Sequence, residues 1–181
     1  MTDPHRHDPP SPFVERWTHV LLTIVPPARR ALDVAMGHGR HAFVLASAGY
    51  HVFGVDVKCD VVRSAVRLAA EGGLPLRAWC ADLTAIPLPS ARFELIVVTR
   101  YLQRDLFPEL IRALTPGGVL IYETFTEAQR ANGRGPTSPD HLLKAGELRA
   151  WAETLEVLFY EEVSEPEALA RLVGRKASSR S

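Results

Sequence analysis

The residues most able to do chemistry in this chain cluster around one glycine-bearing turn. Residues 31–42 read ALDVAMGHGRHA: an apolar strand that ends in a carboxylate, a turn, and the opening of a helix. Glycines in such a turn let a ligand approach the backbone, and a helix N-terminus offers N–H groups with no partner inside the helix. Asp33 stands four residues before Gly37, at the end of the strand. A carboxylate there would repel a pyrophosphate but would favour a cationic amino group. Asp56 ends a second apolar run, 17 residues after Gly39, where an acid can accept hydrogen bonds from ribose hydroxyls. Asp82 follows a third run, in Trp79-Cys80-Ala81-Asp82-Leu83, where it can accept from an adenine amino group. Three acids at the ends of three successive strands would line the crevice where open α/β sheets bind ligands. Gly37 to Ala42 also satisfies the dinucleotide pattern G-x-G-x-x-G/A, which keeps a nicotinamide cofactor open on these residues alone.

The elements that must position these groups can be read from periodicity. Ser11 and Pro12 form an N-cap and first helical position, and Phe13, Trp17, Val20, Leu21 and Ile24 then recur at helical spacing until Pro26 and Pro27. Strands are expected at 31–35, 50–56, 76–80, 93–98 and 119–125, with helices near 39–48, 60–70 and 105–114. Val61, Val62, Ala65, Leu68 and Ala69 share one helix face; Leu106, Leu110, Ile111 and Leu114 share another. This alternation implies βαβ crossovers and a mostly parallel sheet covered on both faces. The segment 126–140 reads as a surface loop. A helix near 146–154 follows, with Leu148, Trp151 and Leu155 inward, and then two strands, 156–163 and 168–175, paired antiparallel around Pro166.

Composition excludes several classes. The length suits one domain, residues 11–176, between flexible tails at 1–10 and 177–181. Twenty-one basic and 21 acidic side chains cancel, so no global field draws the chain to nucleic acid or an anionic membrane. Met1 to Pro12 has no apolar stretch of the secretory type, and no apolar run is long enough to span a bilayer. Cys59 and Cys80 make no disulfide framework and are expected to be reduced, in a cytoplasmic protein. His5 and His7 are too few to imply a metal site.

Taken together, these motifs resemble the class I S-adenosylmethionine-dependent methyltransferases over roughly residues 13–176. LDVAMGHGRHA is similar to that family's D/E-x-G-x-G-x-G turn; Asp56 matches the acid after the second strand, and Ala81-Asp82-Leu83 the adenine-contacting segment. Leu114-Thr115-Pro116-Gly117-Gly118-Val119-Leu120 resembles the segment before the fifth strand, and the closing strand pair resembles the hairpin that separates these enzymes from dehydrogenases. The resemblance implies a doubly wound, seven-stranded Rossmann-like α/β fold and S-adenosylmethionine as cofactor, held by Asp33, Ala35, Gly37, Gly39, Asp56, Ala81, Asp82, Leu83 and Thr99. Ala35 stands where the family usually has its first glycine, at little cost if its φ is negative. Residues 37–56 are similar to the small tellurite-resistance-type bacterial members.

On this resemblance, the residues after strands four and five face the transferred methyl. Tyr101 is expected to pack near it, Arg100 and Arg104 to orient an anionic substrate, Glu123 to serve as base, and Arg134 to close over the site. His38 and His41 are read as helix-start residues. The expected acceptor is a small molecule, with nucleic acid or protein as alternatives. An N-P-P-Y or D-P-P-Y segment is absent, Val98-Thr99-Arg100-Tyr101 standing in its place. Two other functions remain open: a nicotinamide-dependent oxidoreductase, disfavoured because no tyrosine is followed four residues later by lysine, and a non-catalytic domain that binds S-adenosylmethionine.

Overall fold

The computed structural model describes residues 8–24 and 29–178. His5, His7, Pro26 and Pro27 lie outside them. The first helix, α1 (Pro12–Leu21), begins at Ser11 as expected but ends before Ile24; Val20 and Ile24 are both 41% exposed rather than in the core. The strands follow the expected pattern: β1 (Arg30–Val34), β2 (His51–Asp56), β3 (Leu76–Cys80), β4 (Phe93–Thr99), β5 (Leu114–Phe125), β6 (Leu155–Val163) and β7 (Leu169–Lys176). Between them lie α2 (Arg40–Ser47), α3 (Cys59–Glu71), α4 (Phe107–Ala113) and the short α5 (Glu147–Trp151). Strand β5 begins five residues earlier than its apolar run, because Leu114 pairs with Phe93 ahead of a register shift.

The sheet order is β3-β2-β1-β4-β5-β7-β6, parallel through β5, with β7 antiparallel to both β5 and β6. Alternate residues of the central strands feed opposite faces. Ala31, Leu95, Val97, Val119 and Ile121 pack with Phe13 and Leu45 of α1 and α2. Leu32, Ile96, Val98, Leu120 and Tyr122 pack with Leu110 of α4 and Leu148 of α5. Helix α3 lies along β2 and β3 through Val61, Val62, Ala65 and Ala69, whereas Leu68 is 42% exposed, off the buried face assigned to it. The strand order reverses between β1 and β4, so their C-terminal ends splay their loops apart and open a crevice.

Segment 126–140 is more ordered than a surface loop. It holds two short 3₁₀ turns (Glu127–Asn132 and Pro139–His141), and Gln129 is fully buried, accepting from Ala168 N–H at 2.6 Å. No helix among the described residues is long and apolar enough to cross a membrane.

Cys59 and Cys80 are joined in a disulfide, contrary to the reduced state expected. They are 21 positions apart in sequence, but α3 starts where β3 ends, which leaves their Cα atoms 5.1 Å apart.

Candidate active site

Ala35 to Gly39 cross the end of β1 and are stitched to β2: Met36 N–H donates to Val55 O (3.1 Å), and Gly39 N–H to Met36 O (2.9 Å). The Met36 side chain folds over Gly54, where an added Cβ would stand 2.1 Å from its sulfur. Gly54 is therefore the residue of β2 that lets the turn pack flat on the sheet, and the sequence carries no sign of it. At Gly37, φ is +54° and an added Cβ would meet nothing within 4 Å. Its backbone faces open space, which a ligand can enter. Ala35 has φ +52°, a correction to the negative angle expected. An L-residue in this left-handed region is strained by about 1–2 kcal/mol.

Asp56 supports the turn directly. Its Oδ2 accepts from Gly37 N–H and its Oδ1 from Lys58 N–H, each at 2.9 Å. Each oxygen keeps a further lone pair for a hydroxyl donor. Asp82 is exposed; its Oδ1 accepts from the Thr84 hydroxyl (2.7 Å) and the Thr84 N–H (2.9 Å), and these bonds hold its carboxyl below the usual range. Ala81 N–H donates to Asp56 O (3.1 Å), tying the β2 and β3 ends together beside the disulfide. Asp33 is the exception. It is 1% exposed, and neither carboxylate oxygen has a hydrogen-bond partner. Burial raises its pKa to about 7; the Ala42 amide and the Arg40 charge offset only part of that, and Asp56 adds to it.

A cavity of about 1490 Å³ opens at the ends of β1 and β4. Of the expected site residues, Ala35, Gly37, Thr99, Arg100 and Tyr101 form its wall, whereas Asp33, Gly39, Asp56, Ala81, Asp82, Leu83 and Glu123 do not line it. Tyr101 is half-buried and donates to Gln103 Oε1 at 2.5 Å. Its pKa is raised by burial first and then by Asp82, Asp105 and Asp56. Arg100 also has a positive φ, +51°, with its N–H on Glu123 O (2.8 Å) and its guanidinium 5.7 Å from the Phe125 ring centroid. Arg134 reaches the cavity wall and donates to Pro166 O at 2.6 Å.

Two of the expected acceptor-side residues are committed elsewhere. Arg104 is bound to Glu147 (2.7 Å) and to Leu142 O (3.0 Å), and does not line the cavity. Glu123 is 4% exposed and accepts from Arg171 Nε at 2.6 Å, facing a smaller cavity of about 430 Å³. Its place is an ion pair between β5 and β7 rather than that of a free base. These two assignments fail because sequence position locates a strand end but not the neighbour that claims its side chain.

His41 performs a role that sequence spacing showed only as a helix start. Its Nε2 accepts from Ser11 N–H and its Nδ1 faces Thr99 Oγ1, both at 3.0 Å, which puts the ring proton on Nδ1. Burial first, then Arg40 and Arg100, lowers its pKa to about 3, so the ring is neutral. It clamps the start of α1 to the end of β4. Residues 8–10, expected in a flexible tail, lie across the site as a result: Pro9 O accepts from Arg40 (3.2 Å), and Asp8 pairs with Arg100 (3.2 Å). Neither Gln103 nor Asp8 sits in a motif that could have announced it.

Residues 31–118, which span the glycine turn, the three aspartates and the β4–β5 core, match the family model described as a methyltransferase domain. Those residues carry a methyltransferase domain. Among curated relatives, this domain is 33% identical over 140 residues to hemagglutinin 1 of Eikenella corrodens, covering 74% of this chain and 46% of that protein. It is 31% identical over 119 residues to demethylmenaquinone methyltransferase of Thermus thermophilus, covering 61% and 54%. The chain thus spans about half the length of these curated relatives. The structure of TehB from Haemophilus influenzae shares its fold, with a TM-score of 0.71 and 18% identity over 89% of this chain and 62% of that one. The nicotinamide alternative falls with this family match and with the antiparallel β6–β7 pair.

The cofactor of this family is S-adenosylmethionine, and the residues present fit it. Asp33 is a buried carboxyl beneath the turn, only partly compensated by the Ala42 amide and Arg40, which an ammonium would satisfy. Gly37 leaves its backbone open to approach.

Proposed function

We propose that this protein transfers the methyl group of S-adenosylmethionine to a small, anionic acceptor. The unpartnered, buried Asp33 beneath the glycine turn is the observation that most supports the cofactor assignment. Asp33, Gly37 and Asp56 would hold the cofactor, with Asp82 and Leu83 at its adenine end. When bound, the cofactor supplies an electrophilic methyl on a sulfonium. The chain's own residues then position the acceptor and exclude water, and positioning provides much of the rate in such a displacement. Thr99 and Tyr101 form the wall where the two ligands meet, and Arg100 and Arg134 provide positive charge on the acceptor side. Because Glu123 is paired with Arg171, an acceptor whose nucleophile is already deprotonated suits the site best; an amine or hydroxyl would need a base. The tellurite-resistance-type sub-family reading belongs to this proposal and rests on residues 37–56. Composition supports a cytoplasmic location, with the Cys59–Cys80 bond the one feature favouring an oxidising compartment.

Calorimetric titration with S-adenosylmethionine, with NADH and NADPH in parallel, tests the reading. We expect selective binding of the sulfonium cofactor, weakened in Asp56→Ala by about 2 kcal/mol, roughly thirtyfold, as charged hydrogen bonds to Gly37 and Lys58 are lost. A preference for a nicotinamide, or no binding, would defeat it.

A further inference from the structure

Two guanidinium groups converge at the acceptor end of the site. Asp8 Oδ2 lies 3.2 Å from Arg100 Nη1 and 3.7 Å from Arg40 Nη1, so one carboxylate oxygen serves both. Arg40 holds its proton less firmly than usual, through burial first and then through the nearby charge of Arg100. Two cations this close call for an anion between them.

Neither arginine depends on Asp8 for its place. Arg40 opens α2 and is bonded to Pro9 O, whereas Arg100 is fixed by its strained backbone, the Phe125 ring and a second carboxylate, Glu167, at 3.0 Å. The main chain beside Asp8 is anchored independently by the Ser11–His41 bond. The Asp8 side chain has to turn away to free the position between the arginines. Asp8, Arg40 and Arg100 line both the 1490 Å³ cavity and the 430 Å³ cavity, as do Pro10 and Glu167, so these residues stand between the two.

We infer that Asp8 is a built-in stand-in for an acceptor anion: its carboxylate occupies the place between Arg40 and Arg100 that a carboxylate or small oxyanion of the acceptor takes in turnover. Displacing it clears one side of the boundary with the smaller cavity, which reaches Arg171. The inference rests on the methyltransferase reading of the site. The same anion chemistry could come from the cofactor's own amino-acid carboxylate, and the test separates the two sources.

The test is calorimetric titration with acetate and with inorganic phosphate, applied to the unaltered protein, Asp8→Asn and Asp8→Asn/Arg100→Gln. Each protein is measured alone and with saturating S-adenosylhomocysteine. Removing a partly exposed competing carboxylate should tighten anion binding about threefold in Asp8→Asn, and Arg100→Gln should abolish the gain. The gain should persist with S-adenosylhomocysteine bound. A gain seen only without it would assign the place to the cofactor's carboxylate and overturn the acceptor assignment. Unchanged or weaker anion binding in Asp8→Asn, with an unshifted melting temperature, would make the Asp8 pair merely structural and overturn the inference. Failure of S-adenosylhomocysteine to bind the unaltered protein would instead defeat the methyltransferase reading and leave the anion comparison intact.

Discussion

The two halves of the site are prepared in opposite ways. On the cofactor side, β1 and β2 leave a buried carboxyl, Asp33, without a partner and hold Ala35 in a left-handed conformation. On the acceptor side the arginines that line the cavity are already engaged: Arg40 by Asp8 and Pro9 O, Arg100 by Asp8 and Glu167, and Arg134 by Pro166 O. The cofactor half stores unfavourable free energy that a ligand can relieve, whereas the acceptor half satisfies itself and must exchange one partner for another. On the proposed function, that difference predicts cofactor binding tighter than acceptor binding.

The sharpest way to break the comparison is through Asp33. With a folded pKa of about 7 against an ordinary value of 3.8, the folded protein holds a proton there that the unfolded chain has lost. This contribution is greatest below pH 4 and is lost as pH rises through about 7. The loss is up to about 4 kcal/mol, at about 1.4 kcal/mol per pH unit. Ligand-free protein should therefore show a falling stability component in chemical denaturation between pH 4 and pH 7, and Asp33→Asn should remove it. If Asp33→Asn leaves the pH profile unaltered, the cofactor half is not strained in the manner described.

Next in size is the Cys59–Cys80 bond, which fastens the start of α3 to the end of β3 beside Asp82. Opening a loop of this length by Cys59→Ser/Cys80→Ser should destabilise the fold by about 3 kcal/mol, read from denaturant midpoints. Equal midpoints for the variant and the oxidised protein would mean that the turn network alone holds these ends. The smallest effect is expected at Ala35. Ala35→Gly relieves the positive φ but loosens the unfolded chain, a net gain of up to about 1 kcal/mol, or about 2–4 °C in melting temperature. A lower melting temperature would show that the Ala35 methyl group contributes packing that outweighs its strain.

The strand and helix order was readable because each element carries its own period. Val97 and Val98 go to opposite faces of the sheet by alternation alone, and Ala65 and Ala69 to one face of α3 by helical spacing. The positions of the three aspartates were readable for a related reason, since each sits near the end of a strand. Side-chain partners were not. Arg104 and Arg100 lie four residues apart at the same strand end, yet one turns to α5 and the other to the cavity. Leu68 had the right spacing for the buried face of α3 and is exposed, because it borders the cavity.

By itself, then, the sequence determined the alternation of elements, the glycine turn and the three aspartates, because propensity, period and short-range spacing are local properties. Tertiary structure decided the rest. It alone brought Cys59 to Cys80, Arg171 to Glu123, Ser11 to His41 and Asp8 to Arg100, at separations of 21, 48, 30 and 92 residues. Those partners are chosen by how the sheet orders its strands and where the helices cross it, and no local pattern in the chain encodes that choice.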